Sequence, residues 1–273
     1  MAQGLSRLRA GIASMHGKAA AIAPPLEALG LAVETVEGLD TDRFGTFTGE
    51  IERQGDMISA ARAKVRAALS LTKAELVIAS EGAFGPHPAV PLLASGRELI
   101  LVHDRRSGLE MVEQTLTLET NYERLELAPG GDRDAFLQRI GFPDHAVIVR
   151  NGDRLTKGVQ DRAALDAALA AAHGAVVLET DMRAHMNPTR LGGIAKLAQT
   201  LAQRLATPCA KCAAPGFGRV RVEPGLPCSA CGAPTPLTLC EIFACPACGH
   251  EAAQARSDDR READPGDCPA CNP

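Results

Sequence analysis

The sequence predicts an α/β protein, a mixed sheet flanked by helices, that ends in a small C-terminal zinc-ribbon domain. Over the first 208 residues, short apolar runs of strand length alternate with segments of helical periodicity, which is typical of an α/β domain. All nine cysteines follow from Cys209 onward, and eight of them form C-x-x-C pairs of the kind that bind metal. We therefore expect a catalytic or ligand-binding α/β domain over residues 1–205 and a double four-cysteine zinc ribbon over residues 206–273.

Apolar runs and amphipathic segments predict the elements of the first domain. The predicted strands are Ala10–Ser14, Leu31–Val36, Leu76–Ala79, Glu98–His103, His145–Arg150 and Ala175–Glu179. The predicted helices are Ala19–Leu29, Asp56–Leu71, Asp132–Ile140, Asp161–Ala172 and Thr189–Leu205. The stretch 109–127 alternates charged and apolar residues, so it fits either a β-hairpin or a passage from helix to strand.

Composition restricts the class of protein. With 29 Lys and Arg against 33 Asp and Glu, the net charge is −4, which argues against binding to nucleic acid or anionic lipid through bulk positive charge. No apolar run is long enough to span a membrane, and the N-terminus lacks the features of a signal peptide. We expect a cytoplasmic protein that does not contact membranes. Nucleic acid is an unfavoured partner, whereas a partner protein is expected to bind, if at all, through the ribbon.

Four cysteine pairs predict two structural zinc sites of four thiolates each. The pairs are Cys209/Cys212, Cys228/Cys231, Cys245/Cys248 and Cys268/Cys271. We favour zinc over a disulfide framework because a reducing compartment disfavours disulfides, and over an iron–sulfur cluster because closely bunched cysteines are missing. The spacing allows sequential pairing, the simpler arrangement, and also a cross-braced one that joins the first pair to the third and the second to the fourth. Cys240 is left over; it lies in a strand-like run, Leu239–Phe243, and is expected to be a buried thiol.

Two polar clusters predict a binding site for phosphate groups. The first, Ser14-Met15-His16-Gly17-Lys18, lies between a predicted strand and a helix, where backbone N–H groups and Lys18 suit an anion. The second, residues 179–190, contributes Arg183 and Arg190, whose guanidinium groups suit phosphate or carboxylate. His16 and His185 are the candidates for proton transfer. The alternatives are a capped turn with an exposed lysine and a structural network of ion pairs.

Carboxylates in three loops predict a magnesium site. Asp40 and Asp42 lie in the loop 39–50, which also contains glycines, hydroxyls and two phenylalanines. Glu81 follows a buried apolar run and enters a glycine-rich turn, so it is the candidate for a metal ligand or catalytic base, and Asp181 is a further candidate ligand. The alternatives are an ordered loop with Asx turns and a glycine turn with an acid that faces solvent.

Four segments resemble a known protein family. HGK from His16, LDTDRFGTFTGE from Leu39, ASEGAFGPHP from Ala79 and ETDMRAHMNPTR from Glu179 are similar to an uncharacterised bacterial family, a domain of unknown function that ends in this cysteine-rich ribbon. The resemblance spans nearly the whole chain. It implies the two-part organisation and no particular activity.

A more distant resemblance is to the inosine-triphosphatase-type pyrophosphatases. That family opens with a strand, a Ser/Thr-x-Asn-x-x-Lys phosphate loop and a helix, which Ser14 and Lys18 match in part, with His16 in place of Asn and the lysine one residue early. Its Ala-rich helix, which leads to a strand ending in a metal-binding acid, is similar to the segment around Ala60–Arg66 together with Glu81. The resemblance implies a site directed at a phosphoanhydride.

The third element of that family, a Ser-His-Arg motif before a helix, is absent, and Arg183, His185 and Arg190 are only loosely similar to it. Residues and resemblance together predict a magnesium-dependent hydrolase or transferase acting on a nucleotide or another phosphorylated small molecule. The alternative is a non-enzymatic module that senses a ligand and binds protein or nucleic acid through its ribbon. The enzyme hypothesis requires that Lys18, Glu81 and Arg183 share one cavity.

Overall fold

Several mixed and antiparallel sheets flanked by helices make up the protein, which confirms the predicted fold class. The computed structural model describes residues 7–15, 17–46, 48–128 and 131–273. It divides into two compact units, a larger one that ends at Leu201 and a smaller one that comprises Ala202–Pro273. No helix in the described part of the chain combines the length and the apolar character that crossing a bilayer requires.

Five strands form the first sheet of the larger unit. They are β1 (Arg9–Ala13), β2 (Ala32–Thr35), β3 (Leu76–Pro86), β4 (Ala94–Asp104) and β5 (Glu110–Thr117). Their order is β2-β1-β3-β4-β5, with β1 parallel to β2 and β3, while β4 and β5 continue the sheet antiparallel. The crossovers between the parallel strands carry α1 (Ala19–Glu27) and α2 (Met57–Leu69).

Helix α2 covers one face of this sheet. It begins after Asp56, whose carboxylate accepts a hydrogen bond of 2.7 Å from the backbone N–H of Ser59. Its buried stripe packs against apolar side chains of β3 and β4, including Val77, Leu99 and Leu101. One member of that stripe is a lysine, Lys64, which belongs to the site described below.

A second sheet completes the larger unit. Its strands are β6 (Arg124–Leu127), β7 (Val147–Asn151), β8 (Arg154–Val159) and β9 (Val176–Thr180), all antiparallel, in the order β6-β9-β7-β8. Helices α3 (Asp134–Ile140) and α4 (Arg162–Ala170) bury Phe136, Ile140 and Leu165 in the core of this sheet. Helix α5 (Pro188–Ala206) follows β9 and runs past the boundary between the two units.

The smaller unit contains a three-stranded antiparallel meander. Its strands are β10 (Gly218–Pro224), β11 (Thr238–Ala244) and β12 (Glu251–Ala255), in the order β10-β11-β12. The predicted strand around Leu239–Phe243 corresponds to β11. Pairing with its two neighbours holds the ends of these strands, and therefore the cysteine turns beside them, in fixed positions.

Three local predictions differ from the structure. The segment from Ser80 was expected to be a glycine-rich turn, but β3 continues to Pro86, because it pairs with β4 along its whole length, from Leu76–Asp104 to Pro86–Ala94. The stretch 109–127 forms β5 and β6, which belong to different sheets, so it is neither a hairpin nor a passage from helix to strand. The sequence also suggested a single sheet where the larger unit has two, since sheet membership depends on long-range pairing.

Candidate functional site

Distant parts of the larger unit meet around one cavity of about 70 Å³, which has room for a few waters or the oxygens of a phosphate group. Lys18, Glu81, Arg183 and Arg190, all singled out from the sequence, line it. Six of the side chains that line it are cationic and two are acidic: Lys18, Arg53, Lys64, Lys157, Arg183 and Arg190, with Asp42 and Glu81. An excess of fixed positive charge in a confined space favours an anionic ligand.

Lys18 lies immediately before α1 and is buried, with 7% of its surface exposed. Its ammonium donates to the carbonyl oxygen of Ser80 at 3.1 Å and lies 3.4 Å from the Ser80 hydroxyl. Within the described ranges, no carboxylate lies within 4 Å of it. Burial, and then the neighbouring Arg190 guanidinium, lower the pKa of Lys18 to about 7. Lys18 is therefore a buried cation without a counter-charge in contact.

Glu81 lies inside β3 and is also buried. The ammonium of Lys64 is 2.5 Å from its Oε1, and the Arg53 guanidinium is 3.4 Å from its Oε2. Despite the close ammonium, Oε1 accepts no hydrogen bond of good geometry in the described part of the chain. Arg53 also donates to the backbone carbonyl of Gly82 at 2.7 Å, which fixes its position. One carboxylate thus holds two cations at the cavity, one at each of its oxygens.

A buried ion pair joins α5 to β4. The guanidinium of Arg190 donates from Nε to Oε1 of Glu98 at 2.6 Å, and both side chains are almost fully buried. Arg190 also donates to the carbonyl of Met182 and stacks over the ring of Phe84, 5.1 Å from its centroid. A Cβ at Gly82 would lie 2.4 Å from Nη2 of Arg190, so only glycine permits this approach to the strand. The pair connects α5 to the first sheet beside the cavity.

Asp181 orients Arg183. This fully buried carboxylate accepts hydrogen bonds from the Arg183 guanidinium at 2.6 Å, from the backbone N–H of Arg183 at 3.0 Å and from that of Gly158 at 3.1 Å. The hydrogen bonds to Asp181 raise the pKa of the guanidinium above its ordinary value. Arg183 is held at the cavity as a permanent cation, and Asp181 is occupied in holding it.

The four candidate magnesium ligands are only partly brought together. Asp42 and Glu81 line the cavity, whereas Asp181 is engaged as above and Asp40, which is exposed, accepts the backbone N–H of Asp42 at 3.0 Å in an Asx turn. No three carboxylates of the described residues are close enough to share one ion. A shell built from all four is not assembled, and magnesium binding stays a prediction.

Of the two histidines predicted to transfer protons, the structure describes only His185. His16 lies outside the described residues. His185 is exposed in a short 3-10 turn, Ala184–Met186, and is not among the described residues that line the cavity. Its role in proton transfer therefore stays a prediction without support from its position.

Sequence reasoning missed three cationic side chains of the site. Lys64 carried a usable signal, because it interrupts the apolar stripe of α2 at a position that faces the core. Arg53 lies in a loop and Lys157 lies on β8, where its ammonium pairs with Glu50. Neither residue stands in a sequence pattern that indicates a site. Their participation follows only from the three-dimensional arrangement.

Two cysteine quartets in the smaller unit have the geometry of metal sites. The quartets are Cys209, Cys212, Cys245 and Cys248, and Cys228, Cys231, Cys268 and Cys271. Within each quartet, the Sγ atoms of cysteines from different C-x-x-C pairs lie 3.6–3.9 Å apart. Four sulfurs around a tetrahedral zinc, each at about 2.3 Å, would be about 3.8 Å apart, whereas a disulfide requires about 2.05 Å. Each quartet can hold one metal ion, and the separations fit zinc.

The quartets are cross-braced, the second of the two arrangements that the spacing allowed. Gly218 at the start of β10 pairs with Ala244 at the end of β11, so the cysteine turn before β10 lies beside the turn after β11. The first pair therefore meets the third. The remaining pairs follow β10 and β12 and form the second quartet. Sequential pairing is wrong because the antiparallel meander separates neighbouring turns.

The first three cysteine turns repeat one backbone conformation. The N–H of Cys228 donates to Ala233 at 2.9 Å and that of Gly232 donates to Cys228 at 2.8 Å, as in the first and third turns. The residue after the second cysteine adopts a positive φ, 72° at Gly232 and 59° at Ala213. Backbone N–H groups of Cys231 and Ala230 lower the pKa of Cys228 to about 7, whereas hydrogen bonds with Cys231 and Cys228 raise the pKa of Cys271 to about 12, so the protein groups alone favour the thiolate at only part of the quartet.

Cys240 belongs to neither quartet. It lies on β11 and is half-buried, so it is more exposed than the buried thiol that the sequence suggested. Both metal shells are complete without it, since each quartet supplies four sulfurs.

The comparisons with known proteins identify a family and no activity. No curated protein and no solved structure matches the chain. The resemblance to inosine-triphosphatase-type pyrophosphatases is accordingly not shown. Residues 64–273 match a protein family, so that the match includes Lys64, Glu81, Arg183 and Arg190 as well as both quartets. It covers more than half of the chain, and the chain therefore belongs to the family described as a domain of unknown function, DUF6671.

Proposed function

We propose that the cavity binds the phosphoanhydride group of a nucleotide or another phosphorylated small molecule, and that the protein is a metal-dependent hydrolase or transferase acting on it. The observation that supports this is the excess of six cationic side chains over two acidic ones around a single cavity. Phosphoryl transfer depends mainly on positioning and on neutralising the charge of the phosphate oxygens, which such a set of groups provides.

Half of the cations are fixed before a ligand arrives. Arg183, Arg190 and Lys157 each pair with an acid that is not among the residues lining the cavity. These acids cancel much of the long-range positive charge of the three cations. The ion pairs also hold each cation in place, so that its remaining N–H groups are fixed in direction. Donors that need no reorganisation stabilise developing charge more than mobile ones.

The uncompensated charge lies at the other side of the cavity. Arg53 and Lys64 share the single carboxylate of Glu81, and Lys18 contacts no carboxylate in the described ranges. A phosphate oxygen near Lys18 would supply the missing counter-charge in a site where burial strengthens the attraction. Lys18 is therefore the residue on which binding should depend most.

Glu81 and Asp42 would hold a magnesium ion that arrives with the ligand. Magnesium in phosphate sites commonly takes one or two carboxylates and completes its shell with phosphate oxygens and water, so a shell of three protein acids is not required. The fit rests on the donor set, because Glu81 and Asp42 are the two carboxylates among the described residues that line the cavity; Glu81 would exchange its contact with Lys64 or Arg53 for the ion. When bound, the ion would neutralise charge on the phosphate oxygens.

Zinc is proposed for both cysteine quartets, as a structural metal. Four thiolates leave no open position for a substrate, and the smaller unit has only short strands and a few buried apolar residues such as Leu226 and Ile242. Its stability would depend on the two ions.

Binding and turnover test the proposal separately. Tripolyphosphate binding is measured by calorimetry, and phosphate release from tripolyphosphate and nucleoside triphosphates is measured with and without magnesium. Lys18→Met is expected to weaken binding at least about tenfold, the scale of one lost charge-assisted contact, while the matched control Lys196→Met, an exposed lysine outside the cavity, leaves it unchanged. Glu81→Gln is expected to abolish phosphate release.

Different results would contradict the phosphate-binding part and the catalytic part of the proposal. If tripolyphosphate does not bind, or if Lys18→Met binds it as tightly as the wild type, the phosphate site is wrong. If it binds with no release of phosphate under any magnesium condition, the catalytic part fails and the ligand-sensing alternative takes its place.

A further inference from the structure

A second, larger groove adjoins the phosphate cavity and has a different chemical character. Its volume is about 620 Å³, and it extends over β3, β4 and β5 beside the first turn of α2. Arg53 lines both the cavity and the groove, so the two are adjacent and this one side chain lies between them. A ligand bound in the cavity would reach the groove past Arg53.

The groove is lined by fewer charged side chains than the cavity, and they are of both signs. They are Arg53, Arg97, Asp56 and Glu98, of which Glu98 already pairs with Arg190. A second phosphate group would find fewer cations here than in the cavity, which six cationic side chains line. An uncharged part of the ligand suits the groove better, because it loses no hydration of a full charge on binding.

The floor of the groove is apolar and its rim is polar. Ala83, Met57 and Leu99 lie along it between the helix and the sheet, and Leu116 extends from β5 with 45% of its surface exposed. Gln114 adds an amide that can donate and accept hydrogen bonds. Sites for ring-bearing small molecules have this composition: an apolar surface with a few polar groups that fix orientation.

We infer that the groove binds the organic part of the same ligand, an uncharged ring system of nucleoside size, and thereby makes nucleoside polyphosphates preferred over inorganic polyphosphate. This inference rests on the proposed phosphate site. One phosphate group occupies the small cationic cavity, the rest of the phosphate chain lies along Arg53, and the ring packs on the surface that Leu116 and Met57 provide.

The test compares ligands that share one phosphate chain. Tripolyphosphate and the four common ribonucleoside triphosphates are titrated under the same salt and magnesium conditions. At least one nucleoside triphosphate is expected to bind about tenfold more tightly than tripolyphosphate, which corresponds to partial burial of a ring. Leu116→Gln is expected to remove that advantage and to leave the affinity for tripolyphosphate unchanged.

A matched control is available two residues away. Leu118 is similarly exposed but does not line the groove, so Leu118→Gln should keep the full preference. Both leucines are exposed, and far-UV circular dichroism of the variants checks that the fold is retained. The inference is overturned if tripolyphosphate binds as tightly as every nucleoside triphosphate, or if Leu116→Gln keeps the preference. If neither kind of ligand binds, the proposed phosphate site fails first and this inference with it.

Discussion

Replacing Lys18 by methionine should stabilise the protein while it removes phosphate binding. The folded state lowers the pKa of Lys18 from 10.5 to about 7, a change of about 3.5 pKa units. At about 1.4 kcal/mol per unit, keeping this buried lysine protonated costs about 5 kcal/mol well below pH 7 and about 4 kcal/mol at pH 7. Methionine has a similar length and no charge, but it leaves the carbonyl of Ser80 without its donor, at a cost of about 1–2 kcal/mol. A net gain of about 2 kcal/mol at pH 7 follows.

The gain should depend on pH in a defined direction. Between pH 7 and 10.5 the unfolded chain protonates Lys18 and the folded protein does not, so the unfolded state binds more protons and wild-type stability rises with pH over this window. The variant lacks this dependence. Its advantage is therefore greatest below pH 7 and falls steadily above it. The advantage reaches zero about one pH unit below 10.5, where the remaining cost of the charge equals the cost of the lost hydrogen bond to Ser80, and at higher pH the variant is the less stable protein by about 1–2 kcal/mol.

Urea denaturation followed by tyrosine fluorescence measures this difference. The chain has one tyrosine, Tyr122, and no tryptophan, so the signal reports on the larger unit in which Lys18 lies. Lys196→Met is the control; its side chain is 70% exposed, and the change in unfolding free energy should stay within about 0.5 kcal/mol at every pH. A Lys18→Met protein that is less stable than the wild type at pH 6, or whose stability difference is the same at pH 6 and pH 10, would refute the reasoning.

Three further predictions concern glycines and metal. Gly82→Ala should lower the unfolding free energy by about 1–3 kcal/mol, because the added Cβ would overlap the buried ion pair of Arg190 and Glu98. Gly85→Ala on the same strand is the control and should be nearly neutral, since its Cβ meets nothing within 4 Å. Equal effects of the two variants in urea denaturation would contradict this. Ala213→Gly should tighten zinc binding, and Gly232→Ala should weaken it, by about 1 kcal/mol each, since both positions have a positive φ; chelator competition that moves both variants in the same direction would exclude this explanation. Metal analysis should find about two zinc ions per chain, and chelation should remove strand signal from far-UV circular dichroism; a protein that keeps its spectrum in chelator would show that the ribbon does not need metal.

The strands and helices could be predicted from the sequence because their signals are local. Asp56 and Asp161 cap their helices as their residue types predict, each accepting the backbone N–H three residues later at 2.7 Å. The division of the larger unit into two sheets has no local signal. Strand β6 pairs with β9, which lies about fifty residues further along the chain, and no property of Arg124–Leu127 indicates that partner.

The pairing of the cysteines shows the same limit more sharply. The spacing of the C-x-x-C turns fits both arrangements, so the choice depends on the order and direction of the strands between them. Strand β11 was predicted from its apolar residues. The residues of β10 (Gly218–Pro224) alternate between charged and apolar, which is a strand pattern, but no strand was predicted there. Without β10 the antiparallel meander, and with it the cross-brace, could not be derived.

The positions of unfavourable interactions are the strongest argument that the cavity has a function. A buried lysine beside an arginine, a buried carboxylate that is desolvated together with its two cations, and a glycine inside a strand each carry a cost in stability. In the larger unit these three features, at Lys18, Glu81 and Gly82, lie in or directly beside one cavity. Selection for stability alone would disperse or remove them, whereas an anionic ligand at Lys18 would supply the missing counter-charge there. The Lys18→Met protein separates these explanations, because only a ligand site predicts that stability rises while affinity falls.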